Sequence, residues 1–233
     1  MFEESSEYYD LVYGAKDYAG EAKRVLSYLP ANARTLLDVA CGTGEHHRFL
    51  TESLTVHGLD LNAVFLDTAR AKNPTAQYFR ADMRDFALNR TYDMVTCLFG
   101  SIGYCQDLTA LSAAIACLSA HLAPGGVLLV EPWITPEAWN PGRVFSDLLK
   151  VEGLEVCRMG HSRREGRLSV MDFHYLVGQP GQGVRHFQEQ HRMGLFSQEE
   201  IADVLRQCGL TPEFDEVGLM GRGLHIGRAP KRS

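Results

Sequence analysis

The sequence predicts an α/β protein: a seven-stranded, mostly parallel sheet wound by helices on both sides and interrupted by an antiparallel β insertion at residues 133–196. Three observations predict it. Apolar strand-like runs alternate with helical patterns through the first 132 residues, the order required by a parallel sheet with crossover helices. From residue 133 to about 196 the pattern changes to strands with alternating side chains. Beyond it, one more helix and two short apolar runs return the chain to the first sheet. At 233 residues the chain has the length for one sizeable core with an insertion, so residues 1–233 read as a single domain.

Residues 17–29 form an amphipathic leading helix, with Ala19, Ala22, Val25, Leu26 and Leu29 at helical spacing, and Pro30 ends it. Buried strands follow at 35–40, 54–60, 92–98 and 126–132, with a short third strand at 77–80. Residues 63–72 and 108–122 are helical, and Pro124-Gly125-Gly126 breaks the second of these before the fifth strand. In the insertion Met171, Phe173, Tyr175 and Val177 share one face, while Val170, Asp172 and His174 share the other. About three antiparallel strands result, with a turn at 178–183. Ser197 and Glu200 make a capping box for a helix that runs to Gln207 and closes at Cys208-Gly209. Residues 211–217 and 223–228 supply the last two strands.

Composition narrows the function. Hydrophobic residues make up 45% and charged residues 22%, and no apolar run approaches the roughly 18 residues of a membrane span. Residues 1–13 are acidic and aromatic, without the basic start of a secretory leader, so a cytoplasmic location is expected. The six cysteines, at 41, 97, 105, 117, 157 and 208, form no CxxC pair and no zinc spacing, so reduced thiols are expected. His186 and His191 differ by an odd number and face opposite sides of a regular strand, and no metal site is implied. The formal net charge of -6 argues against a nucleic-acid partner and for a small-molecule substrate.

The first strand runs through Leu37-Asp38-Val39-Ala40 straight into Cys41-Gly42-Thr43-Gly44, then into a short helix containing Phe49 and Leu50. Strand, glycine turn and helix build a cofactor crevice at the carboxyl edge of a parallel sheet, where a side chain in place of glycine would hold a ligand off the backbone. A dinucleotide fingerprint needs GxGxxG, but Ala40 fills its first glycine position and Glu45 its third, which disfavours an oxidoreductase. The second strand ends at Asp60, 22 residues beyond Asp38, where a carboxylate can accept both hydroxyls of a ribose. Asp38 lies below the strand end and is placed to order the glycine loop by accepting backbone hydrogen bonds.

Leu37 through Gly44 resembles motif I of class I S-adenosylmethionine (SAM)-dependent methyltransferases, and Asp60 resembles their ribose acid. Asp82-Met83 and the run from His121 to Gly126 extend the likeness. The resemblance implies a Rossmann-like fold with SAM as cofactor. Ala40, Gly42 and Gly44 would then meet the methionyl end and Asp60 the ribose, while Asp82 would accept from the adenine amino group beside the apolar Met83 and Leu98.

A closer similarity spans nearly the whole chain, to the N-methyltransferases that finish dTDP-linked amino-deoxysugars such as desosamine and mycaminose. It is carried by Tyr9-Asp10-Leu11-Val12, Ser101-Ile102-Gly103-Tyr104, Glu131-Pro132-Trp133, Ser162-Arg163-Arg164-Glu165-Gly166, Gly183-Val184-Arg185-His186 and Gly221-Arg222-Gly223-Leu224. Two positions depart: Phe2 stands near a family tyrosine, and Asp60 replaces a glutamate. The resemblance implies that Tyr9 helps bind the cofactor and that Tyr104 faces the acceptor amine, the alternative being a loop aromatic that covers the crevice. Arg164 and Arg222 would hold a pyrophosphate and Trp133 would wall the sugar, against the readings of a solvated turn and core packing. The implied reaction is methylation, twice, of the sugar's amine; methylation of another small natural product at nitrogen or oxygen, or cofactor binding without turnover, are the alternatives. The insertion offers a pairing edge or apolar face for a homodimer.

Overall fold

The computed structural model describes residue 2 and residues 4–231. A 3-10 turn at Glu4–Tyr8 leads into α1 (Tyr9–Tyr13) and α2 (Tyr18–Leu26), the latter capped by the Asp17 side chain, which accepts from Gly20 N at 2.9 Å. Strand and helix then alternate through β1 (Thr35–Val39), α3 (His47–Leu50), β2 (Thr55–Asp60), α4 (Ala63–Lys72), β3 (Gln77–Arg80), β4 (Tyr92–Cys97), α5 (Leu108–Ala120) and β5 (Leu122–Val130), except between β3 and β4, which a loop joins. The insertion holds β6 (Val144–Val151), β7 (Leu154–Glu165), β8 (Leu168–Gln179) and β9 (Gly183–Gly194). Then α6 (Gln198–Gln207) starts on the expected Ser197/Glu200 capping box, and β10 (Thr211–Asp215) and β11 (Leu224–Arg228) close the chain.

The main sheet has seven strands in the order β10-β11-β5-β4-β1-β2-β3, with β11 antiparallel to both its neighbours and the other pairs parallel. Chain order reverses between β1 and β4, and ligand crevices open at such switch points. Alternation along the strands splits the core in two. Leu37, Val39, Val95 and Leu128 pack under α5 and α6, whereas Leu36, Met94, Val127 and Leu129 pack under α2 and α3.

The insertion is a four-stranded antiparallel sheet, not the three strands expected. The strand that the pattern hides is β6, at the sheet edge: Val144 and Leu148 point outward and are exposed, so apolar residues stand on both its faces and no alternation shows. The inner face of this sheet, with Val156, Phe173, Tyr175, Val177 and Phe187, packs against Tyr8, Leu11, Tyr104 and Trp133. It thereby seats the N-terminal segment and the loop after β4 beside the switch point. Among the described residues no helix is long and apolar enough to cross a membrane.

Candidate active site

Three residues of the turn after β1 adopt left-handed backbone: Ala40 at φ 59°, Gly42 at 55° and Gly44 at 71°. Ala40 carries the strain that a Cβ meets there, about 1 kcal/mol. The two glycines serve different ends. A Cβ on Gly42 would meet nothing within 4 Å, and Gly42 lines the open cleft. A Cβ on Gly44 would sit 3.1 Å from Ala69 Cβ and 3.0 Å from Asn73 Nδ2, so Gly44 lets the turn pack on α4 and does not reach the cleft as expected.

The two carboxylates exchange the backbone role read from sequence. Asp38 orders the interior: its Oδ1 accepts from Thr96 Oγ1 at 2.7 Å and its Oδ2 lies 3.0 Å from His47 Nε2, whose Nδ1 lies 2.9 Å from the Tyr78 hydroxyl. The backbone hydrogen bonds of the glycine loop go to Asp60 instead. Its Oδ2 accepts from Gly42 N at 2.9 Å and its Oδ1 from Asn62 N at 2.8 Å. The reason is geometric: Asp38 points into the layer beneath the sheet with Leu36, whereas Asp60 ends β2 level with the loop. Burial pushes the Asp60 carboxyl above its ordinary range, against the pull of these N–H groups.

The cleft beside Asp60 encloses about 430 Å³. Tyr9, Ala40, Gly42, Asp60, Asp82, Met83 and Tyr104 all line it, as do Phe2 and Phe65. Phe2, Tyr9 and Phe65 form an aromatic wall with ring centroids 4.8 to 5.4 Å apart. Helix α1 is tied to the glycine turn by Asp10, which accepts from Thr43 Oγ1 at 2.6 Å and from Lys72 Nζ at 2.5 Å. Asp82 is engaged by its neighbour: Arg84 donates Nε and Nη2 to its two oxygens at 2.9 and 2.5 Å and holds the carboxyl below its usual range. Leu98 does not join Met83. It falls one residue past Cys97, so it turns to the opposite layer and borders a smaller cavity with Asp38, Thr43 and Phe99.

On the far side of the cleft, the Tyr104 hydroxyl lies 2.7 Å from His191 Nδ1 on β9. Burial holds the phenol well above its ordinary pKa. His191 is a residue that sequence reading passed over. Its only signal was the odd spacing from His186, which does put it on the inner face, buried, with His186 outside. Trp133 Nε1 donates to Ser169 Oγ at 2.9 Å, and the Arg222 guanidinium stacks on the Trp133 ring at 4.8 Å with Nη1 buried and without a hydrogen-bond partner. Arg164 stands apart from the cleft. Its Nε and Nη1 donate to Gly166 O and Pro136 O at 2.9 and 3.1 Å, which fastens the loop after Trp133 to the β7–β8 turn.

These residues fit SAM. Asp60 keeps lone pairs beyond the two already used, enough for a ribose diol, and Gly42 leaves the backbone open beside it. Strand order, glycine turn and a carboxylate at the end of the second strand match a Rossmann-like class I methyltransferase. A family model described as a methyltransferase domain matches residues 36–126. The chain is 43% identical over 230 residues to a dTDP-3-amino-3,6-dideoxy-alpha-D-glucopyranose N,N-dimethyltransferase of Streptomyces fradiae, covering 96% of this chain and 90% of that protein. It superposes on DesVI of Streptomyces venezuelae with a TM-score of 0.90 and 40% identity, over 99% of this chain and 100% of that one. A SAM-bound amino pentose methyltransferase of Micromonospora echinaspora, involved in calicheamicin biosynthesis, matches with a TM-score of 0.85 and 36% identity over 98% and 97% of the two chains. The protein belongs to this family of sugar N-methyltransferases, and SAM is its methyl donor.

Proposed function

We propose that this enzyme methylates the amino group of a dTDP-linked amino-deoxysugar, and does so twice. The observation that carries the reading is the reach of the likeness: at 40% identity it extends over 99% of the chain, so it takes in the antiparallel sheet on the acceptor side as well as the cofactor half.

The cofactor, when bound, supplies a methyl group already activated by its sulfonium. The chain has to hold, align and keep water away. Asp60 holds the ribose, Gly42 and Ala40 leave the methionyl side clear, and Met83 meets the adenine, with Asp82 released in part from Arg84. Phe2, Tyr9 and Phe65 wall the cleft against solvent. Tyr104 would orient the acceptor amine so that its lone pair lies in line with the methyl that the sulfonium gives up as a neutral thioether; the ammonium left by the first transfer would lose its proton to solvent before a second. Trp133 walls the sugar, Arg222 pairs with the pyrophosphate, and Arg164 steadies the loop between them. The six free thiols go with a cytoplasmic location, and the product is read as a sugar for antibiotic biosynthesis. A homodimer contact is placed on the outer face of the insertion, where Val144, Leu148, Met159, Leu176 and Val184 are exposed; light scattering that finds only monomer removes it.

The test is mass spectrometry of reactions with SAM and dTDP-3-amino or dTDP-4-amino deoxysugars. The expected result is a gain of two methyl masses on one isomer. No gain on either, with SAM binding confirmed by calorimetry, rejects these acceptors.

A further inference from the structure

His191 is held in one orientation, buried with its ring edge-on to Phe2 at 4.5 Å and to Phe173 at 5.2 Å. Its two nitrogens meet different surroundings. Nδ1 faces the Tyr104 hydroxyl, while Nε2 is buried, has no hydrogen-bond partner and lies 3.7 Å from Glu189 Oε2. Glu189 is itself fixed, accepting from Ser5 N at 2.9 Å and from the Ser5 hydroxyl.

A neutral imidazole has one N–H and one bare nitrogen, and a neighbouring carboxylate draws the proton to its own side. The proton therefore belongs on Nε2, and Nδ1 can only accept. A phenol has one proton to give, and here it goes to His191, which leaves the lone pairs of the Tyr104 oxygen for the cleft. That polarity matters to an amine nucleophile. A phenol that donated to the nitrogen would occupy the lone pair needed for attack, whereas one that accepts from N–H turns the amine and leaves that lone pair free.

We propose that His191 is a positioning residue that takes the proton of the Tyr104 phenol and so makes Tyr104 an acceptor toward the substrate amine. The inference rests on the amine-methylating reading above. It asks nothing of His191 as a base and adds no proton transfer to the reaction.

Two measurements test it separately from that reading. Ring-nitrogen NMR of the substrate-free protein, with His191 identified by its loss in His191→Leu or His191→Asn, should show the proton on Nε2 and a bare Nδ1 whose resonance moves in Tyr104→Phe. A protonated Nδ1 overturns the proposal. In kinetics, His191→Leu should lower kcat/KM for the amino sugar about tenfold, the worth of one hydrogen bond, with SAM affinity unchanged by calorimetry. His191→Asn, whose side-chain oxygen can take the phenol's proton, should recover most of the loss, and in a Tyr104→Phe background His191→Leu should bring no further loss. Equal losses in both backgrounds, or no recovery with Asn, overturn it. A wild-type enzyme that binds SAM but methylates neither sugar counts against the substrate, and the NMR result then decides the role of His191 alone.

Discussion

The two walls of the cleft are built by different means. At the glycine turn the contacts of Asp60 are short in sequence: it takes the backbone of Gly42, 18 residues before it, and of Asn62, 2 residues after it. Around Tyr104 and Trp133 they span the chain. Tyr104 meets His191 across 87 residues, Trp133 meets Ser169 across 36, and Ser5 meets Glu189 across 184. A strand end and its turn build the first wall, whereas the second exists only because the insertion folds back over the loop after β4. On the proposed reading, acceptor choice would reside in the insertion and donor choice in the main sheet.

The largest expected effect attacks the cofactor wall. Asp60→Ala removes the proposed ribose acceptor and the partner of Gly42 N, and should weaken SAM binding about a hundredfold by calorimetry, the loss of hydrogen bonds to a charged group. Normal affinity would overturn the assignment. Next, the two glycines of the turn should part company. Gly44→Ala meets three side-chain atoms within 3.1 Å at a positive φ, and should lower stability by about 2 kcal/mol in denaturant titrations while the folded fraction keeps its SAM affinity. Gly42→Ala has open space in the protein and should show the reverse, weak SAM binding with a stability loss of about 1 kcal/mol. A common loss of both properties in both variants would erase the distinction between them. The smallest effect probes the other wall: Trp133→Phe gives up the bond to Ser169 Oγ, for about 1 kcal/mol and a severalfold rise in KM for the acceptor. SAM affinity should not move, and if it does, the two walls are coupled.

Legibility follows the same division. The run from Leu37 to Gly44, the carboxylate at the end of β2 and the Ser197/Glu200 cap are local patterns, and each stands where periodicity and turn chemistry put it. Leu98, expected beside Met83 at the adenine, and Gly44, expected at the methionyl end, were legible as site candidates but not in their direction. One step along the chain turns Leu98 to the layer beneath the sheet, and Gly44 faces α4 because that helix returns against the turn.

By itself, then, the sequence determined the strands of the main sheet, their winding and the glycine turn, because apolar period, capping and turn chemistry act over a few residues, while the class of cofactor came from the resemblance of residues 37–44 to a known motif. Only the tertiary structure decided that Asp60 and not Asp38 holds the glycine loop, that an exposed edge strand completes the insertion, that Arg164 fastens a loop, and that His191 stands behind Tyr104. Each of these is a pairing between groups far apart in the chain. Which donor finds which acceptor is settled by distance after packing, and periodicity carries no record of it.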